Sequence, residues 1–82
     1  MSNLAIAFKS RNELYSFARI LKSNNILFQI INSPKSIASA CTLSIKTHPN
    51  NLNKIKNFLI KHQPSSFIGL YLLSENQTMR LM

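Results

Sequence analysis

The sequence contains few of the residues on which most catalytic sites depend. Its 82 residues include one cysteine, Cys41, two glutamates, no aspartate and no tryptophan. A lone thiol cannot close a disulfide within the chain, and the two carboxylates fall near the start of the first helix and in the tail, which argues against the paired acid and base of many hydrolases. Glycine is also scarce, since Gly69 stands alone. This scarcity indicates regular elements joined by few special turns.

Metal and nucleophilic sites have little support in the residues that remain. Cys41, His48 and His62 are the soft ligands, and their spacing contains no close pair. A Cys–His nucleophile would need a third group to orient the base, but Glu13 and Glu75 fall near the start of a helix and in the tail. We therefore predict no metal site, no cofactor and no self-sufficient hydrolase.

The charge of the chain is strongly one-sided. Ten Lys and Arg residues against two acidic ones give a formal net charge of +8. Such an excess predicts attraction to nucleic acid, to an acidic protein face or to a small anion, although a merely solvated basic surface fits it equally well. The opening residues carry no export signal, and no apolar run is long enough to span a membrane. With one unpaired cysteine, these features predict a cytoplasmic protein without a membrane partner.

Apolar periodicity predicts the first half of the fold. Residues 3–8 alternate like a strand with its bulkier side chains inward. Ser10 stands three residues before Glu13, the spacing of a capping box, and an apolar stripe with helical spacing follows. Asn24 and Asn25 end this helix because asparagine tolerates left-handed geometry. Residues 26–31 are almost continuously β-prone, which predicts a well-buried strand.

The second half repeats this order of elements. Cys41, Leu43 and Ile45 alternate with polar residues as in a half-buried strand. A helix is predicted to start near residues 47–50 and to end before Pro64, and residues 67–73 form a last strand. The order β-α-β-β-α-β predicts an α+β, ferredoxin-like sandwich, in which a four-stranded antiparallel sheet carries both helices on one face. We expect this single domain to cover residues 1–73 and a flexible C-terminal tail to cover 74–82.

RNA-recognition modules share this element order and stack bases on aromatic residues of their two central strands. The third strand here contains no aromatic residue, and the alternation places Phe8 with the core face. Base stacking is therefore poorly supported, although scattered lysines could still contact phosphates non-specifically.

The residues around Cys41 allow two interpretations of this cysteine. It shares the alternation of Leu43 and Ile45, and free cysteine is among the most buried residue types, so it can be a core filler. It also opens its strand behind small residues that include Ser36 and Ser39. Lys35 and Lys46 supply positive potential there. Such potential would lower the pKa of the thiol and favour a reactive thiolate.

The residues around Cys41 resemble the signature of a known family. Residues 34–41, Pro-Lys-Ser-Ile-Ala-Ser-Ala-Cys, follow one β-run and open another. This stretch is similar to that of the small bacterial selenium/sulfur carrier-like proteins, whose pattern is a proline, a basic residue, an Ile-Ser-Ser-like stretch and Cys-Gly. The resemblance extends to the closing Gly-Leu-Tyr strand at residues 69–71. Thr42 departs from it, because it replaces the family glycine with a β-branched residue that avoids positive φ.

The resemblance implies a carrier or binding module rather than an enzyme. Cys41 would take a sulfur or selenium atom from a donor persulfide and hold it for an acceptor. Lys35, Ser36, Ser39 and Thr42 would support the thiolate. The implied donor is a cysteine desulfurase or a selenium-pathway protein, and the basic surface would dock an acidic partner.

Two alternatives remain open. One is a basic protein- or RNA-binding domain in which the cysteine is structural. The other is a small regulatory domain that forms a homodimer through an edge strand or a sheet face.

Overall fold

A computed structural model of the chain describes residues 2–34, 42–75 and 77–82. Within these residues the fold is α+β, with two helices and a five-stranded antiparallel sheet. A short 3₁₀ turn, Pro49–Asn51, precedes the second helix. In chain order the elements are β1 (Asn3–Phe8), α1 (Arg11–Ser23), β2 (Phe28–Asn32), β3 (Leu43–Thr47), α2 (Leu52–His62), β4 (Phe67–Ser74) and β5 (Gln77–Arg80).

The strands lie in the order β2-β3-β1-β4-β5, and every neighbouring pair is antiparallel. The β1-α1-β2 unit therefore encloses β3, and the β3-α2-β4 unit encloses β1. This interleaving is compatible with the predicted ferredoxin-like sandwich. The sheet has a fifth strand, β5, in addition to the four that the sequence predicts.

One hydrophobic core lies between the sheet and the helices. Alternate residues of β1, namely Leu4, Ile6 and Phe8, are buried in it. Phe8 packs against Phe17 of α1 and Phe67 of β4, with ring centroids 5.6 and 6.2 Å apart. The prediction that Phe8 belongs to the core face is confirmed. Both helices supply the opposite side of this core, through Leu14, Phe17, Ala18, Leu21, Ile55 and Leu59.

The first helix begins as predicted, but half of the capping box is absent. The Ser10 hydroxyl accepts a hydrogen bond from the Glu13 amide, which satisfies one orphan donor of the first turn. The Glu13 carboxylate does not reach back to Ser10. It instead accepts hydrogen bonds from Ser65 and Ser66, before β4. Glu13, which has the spacing of a capping-box residue, thus makes a contact between α1 and the segment before β4.

The start and end of α2 follow from local residues. His48 caps the 3₁₀ turn, since its Nδ1 accepts a hydrogen bond from the Asn50 amide at 3.0 Å. The helix proper starts at Leu52, later than predicted. It ends at His62 and is followed by the C-cap residue Gln63, which adopts a left-handed conformation with φ of 43° and precedes Pro64.

The second strand differs most from its prediction. It covers Phe28–Asn32 rather than residues 26–31, and it is an edge strand whose residues are half-buried or exposed. Asn25, with φ of 59°, turns the chain, and Ile26 packs into the core before the strand begins. The apolar run was interpreted as a buried strand because sequence alone does not show the position of a strand within its sheet.

The fifth strand lies in the segment predicted as a tail. Its four residues are all exposed and only Met79 is apolar, so no alternation marks it. The residues after it attach it to the sheet, since the Leu81 amide donates to the Leu70 carbonyl at 2.7 Å. Leu81 and Met82 pack against the core.

Candidate functional site

Most of the predicted site belongs to the connection between β2 and β3. Lys35, Ser36, Ser39 and Cys41 lie outside the described residues, whereas Thr42 is described. The structure also describes the residues on either side of this connection, where β2 ends and β3 begins. We call Ser33, Thr42 and Ser44 the loop neck.

Two hydrogen bonds close the loop neck. The Ser33 amide donates to the Thr42 carbonyl at 2.9 Å, one step beyond the last paired residues of β2 and β3. The Ser33 and Ser44 hydroxyl oxygens lie 2.6 Å apart, so one hydroxyl donates to the other. Ser44 is completely buried. The ends of the segment that contains Cys41 are therefore held together at a fixed place on the sheet.

Thr42, at the position where the resemblance implies a glycine, has no backbone strain. Among the described non-glycine residues, Asn25 and Gln63 have positive φ, and Thr42 does not. A β-branched residue therefore fits here. The Thr42 Oγ1 atom is buried and has no hydrogen-bond partner within the described part of the chain. A buried hydroxyl without a partner is costly, so a hydrogen bond to this atom would stabilise the site.

Small side chains continue from the loop neck across the sheet face opposite the helices, which we call the second face. Ser44 pairs with Ala7 of β1, and Ala7 pairs with Gly69 of β4. All three are buried. The Tyr71 ring lies over Gly69, because a Cβ atom added at Gly69 would meet the ring atoms at 2.7–2.8 Å. This row therefore consists of small, buried residues between the loop neck and β4.

The second face also carries positive charge. Lys46 lies two residues after Ser44 on β3, so both side chains project from this face. It is half-buried and belongs to the described residues, unlike Lys35. The Arg80 guanidinium lies 6.0 Å from the centre of the Tyr71 ring, within the range of a cation–π contact.

The topology brings further cations to the end of the sheet where the loop neck lies. The antiparallel register places the end of β1 beside the starts of β3 and β4, at Phe8, Leu43 and Phe67. Lys9 and Arg11 follow β1 at this end, and both are exposed. Lys61, near the end of α2, is exposed and also returns toward this end. The surroundings of the loop neck are therefore basic, which favours an anion.

The carboxylate on α1 is already engaged. Glu13 accepts from the Ser65 and Ser66 amides at 2.9 and 2.8 Å and from the Ser65 hydroxyl at 3.0 Å. Hydrogen bonding from Ser66 and Ser65 holds the pKa of Glu13 below its ordinary value, and partial desolvation opposes this effect. A low pKa and occupied oxygens make Glu13 unsuited to act as a general base.

No histidine pairs with the loop neck along β3. His48 follows the far end of the strand that Thr42 precedes, and six extended residues span roughly 20 Å at ~3.3 Å per residue. Its Nδ1 atom already accepts a hydrogen bond. Within residues 2–34, 42–75 and 77–82, no three His, Cys, Asp or Glu side chains lie close enough together to hold a metal ion.

The structure also bears on nucleic-acid and membrane binding. On the second face, β1 and β3 present Ala5, Ala7, Ser44 and Lys46, and none of these is aromatic. The two strands that stack bases in RNA-recognition modules thus lack a stacking surface here. None of the described helices is long and apolar enough to cross a membrane.

The loop neck was not singled out from the sequence. The alternation of Thr42, Ser44 and Lys46 along β3 does indicate a polar face. Nothing in the sequence shows that Ser33 would meet Ser44, because that contact depends on the pairing of two strands.

Comparison with known proteins identifies one family. The model of the family described as "Putative Se/S carrier protein-like" matches residues 3–69, which is most of the chain and includes Cys41. None of the curated proteins and none of the solved structures gives a significant match.

Proposed function

This chain belongs to the Se/S carrier-like family, and we propose that it carries sulfur or selenium on Cys41. The observation that carries the proposal is that the only thiol of the chain falls within the matched range. A single cysteine is sufficient for such a carrier, because the donor and the acceptor supply the other thiols. It acts as a transfer module rather than as a self-contained enzyme.

The transfer step requires no external oxidant. The Cys41 thiolate attacks the outer sulfur of a donor persulfide, R–S–SH, and the donor S–S bond breaks. The products are the donor thiolate, R–S⁻, and the persulfide of Cys41, so atoms and electrons balance. A donor perselenide, R–S–SeH, transfers selenium in the same way. An acceptor thiolate then attacks the outer atom and releases the Cys41 thiolate.

The environment of the loop neck suits an anionic nucleophile. Lys46 and the exposed cations at this end of the sheet create positive potential, which lowers the pKa of a nearby thiol. In this proposal Lys35 stabilises the thiolate, and the Ser36 and Ser39 hydroxyls donate hydrogen bonds to it. The buried Thr42 hydroxyl, which lacks a partner among the described residues, donates to the terminal atom of the persulfide.

No general base is needed in this mechanism. The thiolate forms because of the local potential, and the leaving donor thiolate requires no proton. This agrees with a chain whose α1 carboxylate is bound to Ser65 and Ser66. The proposal places the protein on a ferredoxin-like scaffold in the cytoplasm, where a reducing environment keeps a lone cysteine free. A cysteine desulfurase or selenium-pathway protein is the donor, and an acidic protein is the acceptor.

Intact-mass spectrometry tests the proposal directly. The purified chain is incubated with a cysteine desulfurase and cysteine. We expect the wild type to gain the mass of one sulfur, which a reducing thiol then removes. The Cys41→Ser variant should gain nothing. A Thr42→Gly variant, which restores the family residue, should still load, because the negative φ of Thr42 shows no requirement for glycine.

One outcome would overturn the proposal. If the desulfurase carries its own persulfide and the wild-type chain remains unmodified, Cys41 does not accept sulfur from this class of donor. The same experiment with a selenocysteine lyase and selenocysteine distinguishes selenium from sulfur as the cargo.

A further inference from the structure

The outer edge of β2 is an unpaired sheet edge. It is the first strand in the order β2-β3-β1-β4-β5, and no described strand pairs with its other side. Natural proteins protect such edges with lysine, proline or bulges, because an open edge recruits other strands. β2 has the sequence Phe-Gln-Ile-Ile-Asn and contains none of these protective features.

The register shows which backbone groups face outward. The Ser33 amide donates to the Thr42 carbonyl, so Ile31 and Gln29, at two-residue steps, also form hydrogen-bonded pairs with β3. The intervening Phe28, Ile30 and Asn32 therefore direct their amides and carbonyls away from the sheet. These three residues offer an added strand a regular set of donors and acceptors.

An apolar groove runs beside this edge on the helix side. It has a volume of about 290 Å³ and lies between α1 and β2. Its apolar surface comes mainly from Tyr15, Phe28 and Ile30, of which Tyr15 is 46 % and Ile30 38 % exposed. A side chain from an added strand would bury this surface, and burial of apolar area is the main source of binding free energy.

The rim of the groove is positively charged. Arg19 and Lys22 line it, and both are exposed. The two carboxylates of the chain lie elsewhere: Glu13 is bound to the segment before β4, and Glu75 lies between β4 and β5 at the opposite edge of the sheet. The occupant that complements this groove therefore carries acidic side chains.

We propose that the β2 edge binds an extended acidic segment of a partner protein by strand addition. Main-chain hydrogen bonds to Phe28, Ile30 and Asn32 supply the pairing, apolar side chains of the partner fill the groove, and its carboxylates meet Arg19 and Lys22. A second copy of the chain is a poor occupant, because two edges would bring the same cations together in molecules that each carry +8.

This surface is independent of the thiol, so it goes beyond the proposed function. β2 leads through Ser33 into the loop neck, and a segment bound along β2 would therefore end close to the segment that contains Cys41. Binding and loading are nevertheless separable. Every binding measurement below can be made on the Cys41→Ser chain, so failure of one proposal leaves the other intact.

The test uses a fluorescein-labelled peptide. Its odd-numbered positions are valine and glutamate in turn, and all its even-numbered positions are threonine. Fluorescence anisotropy measures its binding to the full chain. We expect binding that weakens as salt increases, since exposed charges are screened. A matched peptide with lysine in place of glutamate should not bind. In amide NMR spectra, Phe28, Ile30 and Asn32 should shift most.

Two further comparisons separate strand addition from loose charge attraction. Of two peptides that are N-methylated on alternate residues, one should lose binding, because its methyl groups block the amides that face β2, and the other should retain it. The Arg19→Glu/Lys22→Glu variant should bind about tenfold more weakly. The Lys54→Glu/Lys56→Glu variant changes the net charge equally on the first half of α2, away from the loop neck, and should bind normally.

Specific outcomes overturn the inference. Equal affinity of both methylated peptides would show that the backbone edge is not used, and equal affinity of the lysine peptide would remove the requirement for acidic groups. A dimer in analytical ultracentrifugation whose formation shifts the Phe28, Ile30 and Asn32 amides would assign this edge to a second copy of the chain.

Discussion

The hydroxyl oxygens of Ser33 and Ser44 lie 2.6 Å apart where β2 and β3 separate, and Ser44 is fully buried. This contact joins the two strands at the only point from which the segment containing Cys41 can depart. The Ser33 amide bond to the Thr42 carbonyl reinforces it. The sheet thus fixes the relative position of Ser33 and Thr42, which flank this segment.

We expect Ser44→Ala to lower the free energy of unfolding by about 1 kcal/mol, the net value of a typical intramolecular hydrogen bond. Urea denaturation measures this loss. Ser33→Ala should cost a similar amount, and the double variant should cost less than the sum, because both changes remove the same contact. Strict additivity of the two effects would contradict the contact. Ser23→Ala, at an exposed hydroxyl at the end of α1, is the control.

Glu13 predicts how stability depends on acidity. Its pKa in the folded chain is below the ordinary value of 4.5 because Ser66 and Ser65 donate hydrogen bonds to the carboxylate. Glu13 therefore stabilises the fold fully above about pH 4.5, and this contribution is lost as the pH falls through the lowered pKa. We expect the melting temperature to decrease on acidification in this range.

The near absence of acidic residues makes that experiment simple to interpret. Glu13→Gln retains one acceptor oxygen instead of two, so it should melt at a lower temperature at pH 7 and show a flatter acid profile. Glu75→Gln, in the β4–β5 turn, should keep the wild-type dependence on Glu13. If Glu13→Gln leaves both the melting temperature and the acid profile unchanged, the bonds to Ser65 and Ser66 do not stabilise the fold.

Gly69 predicts a steric effect on β4. A Cβ atom at this position would approach the Tyr71 ring atoms to 2.7–2.8 Å, and Tyr71 is itself buried. We expect Gly69→Ala to cost about 1–3 kcal/mol in urea denaturation, which is typical of an overpacked site. The same substitution in a Tyr71→Val background should cost much less. An equal cost in both backgrounds would show that the ring is not the obstacle.

Local sequence patterns were sufficient to predict β1 and α1, because the residues within or next to each element determine where it begins and ends. The alternation of β1 and the stripe and Ser10 cap of α1 are local, and the structure has both. The burial of β2 was not accessible in this way. Residues 26–31 are apolar enough to predict a well-buried strand, yet the residues of β2 are half-buried or exposed, because β2 lies at the edge of the sheet.

The remaining differences have the same origin. Glu13 has the right spacing for a capping box, but its partners lie 52 and 53 residues away. β5 has no apolar alternation, and it pairs with β4 through the backbone, while Leu81 and Met82 after it pack against the core. At the site, the family motif and Cys41 are visible in the sequence, whereas the Ser33–Ser44 contact requires the strand register.

Alternate amides of β2 point toward β3 or away from the sheet, so proline should have different effects at adjacent positions of this strand. The Ile31 amide faces β3, opposite Ser44, so Ile31→Pro would leave the buried Ser44 carbonyl without its donor. We expect a loss of about 1–3 kcal/mol in the free energy of unfolding. The Ile30 amide faces outward, so Ile30→Pro should cost clearly less while blocking the edge. A larger loss of stability for Ile30→Pro than for Ile31→Pro would contradict this assignment of the inward and outward amides.

The reactivity of Cys41 distinguishes a carrier from a core filler. Because iodoacetamide reacts with the thiolate, a basic environment should make Cys41 alkylate several-fold faster at pH 7 in the native chain than in the same chain in urea. Lys35→Gln should slow the native rate by weakening the local potential, whereas Lys54→Gln, on the exposed side of α2, should not. Intact mass follows the reaction, since each chain has one site. A thiol that reacts more slowly in the folded chain than in the unfolded one would be shielded by packing, and in that case the family resemblance would describe the fold without its chemistry.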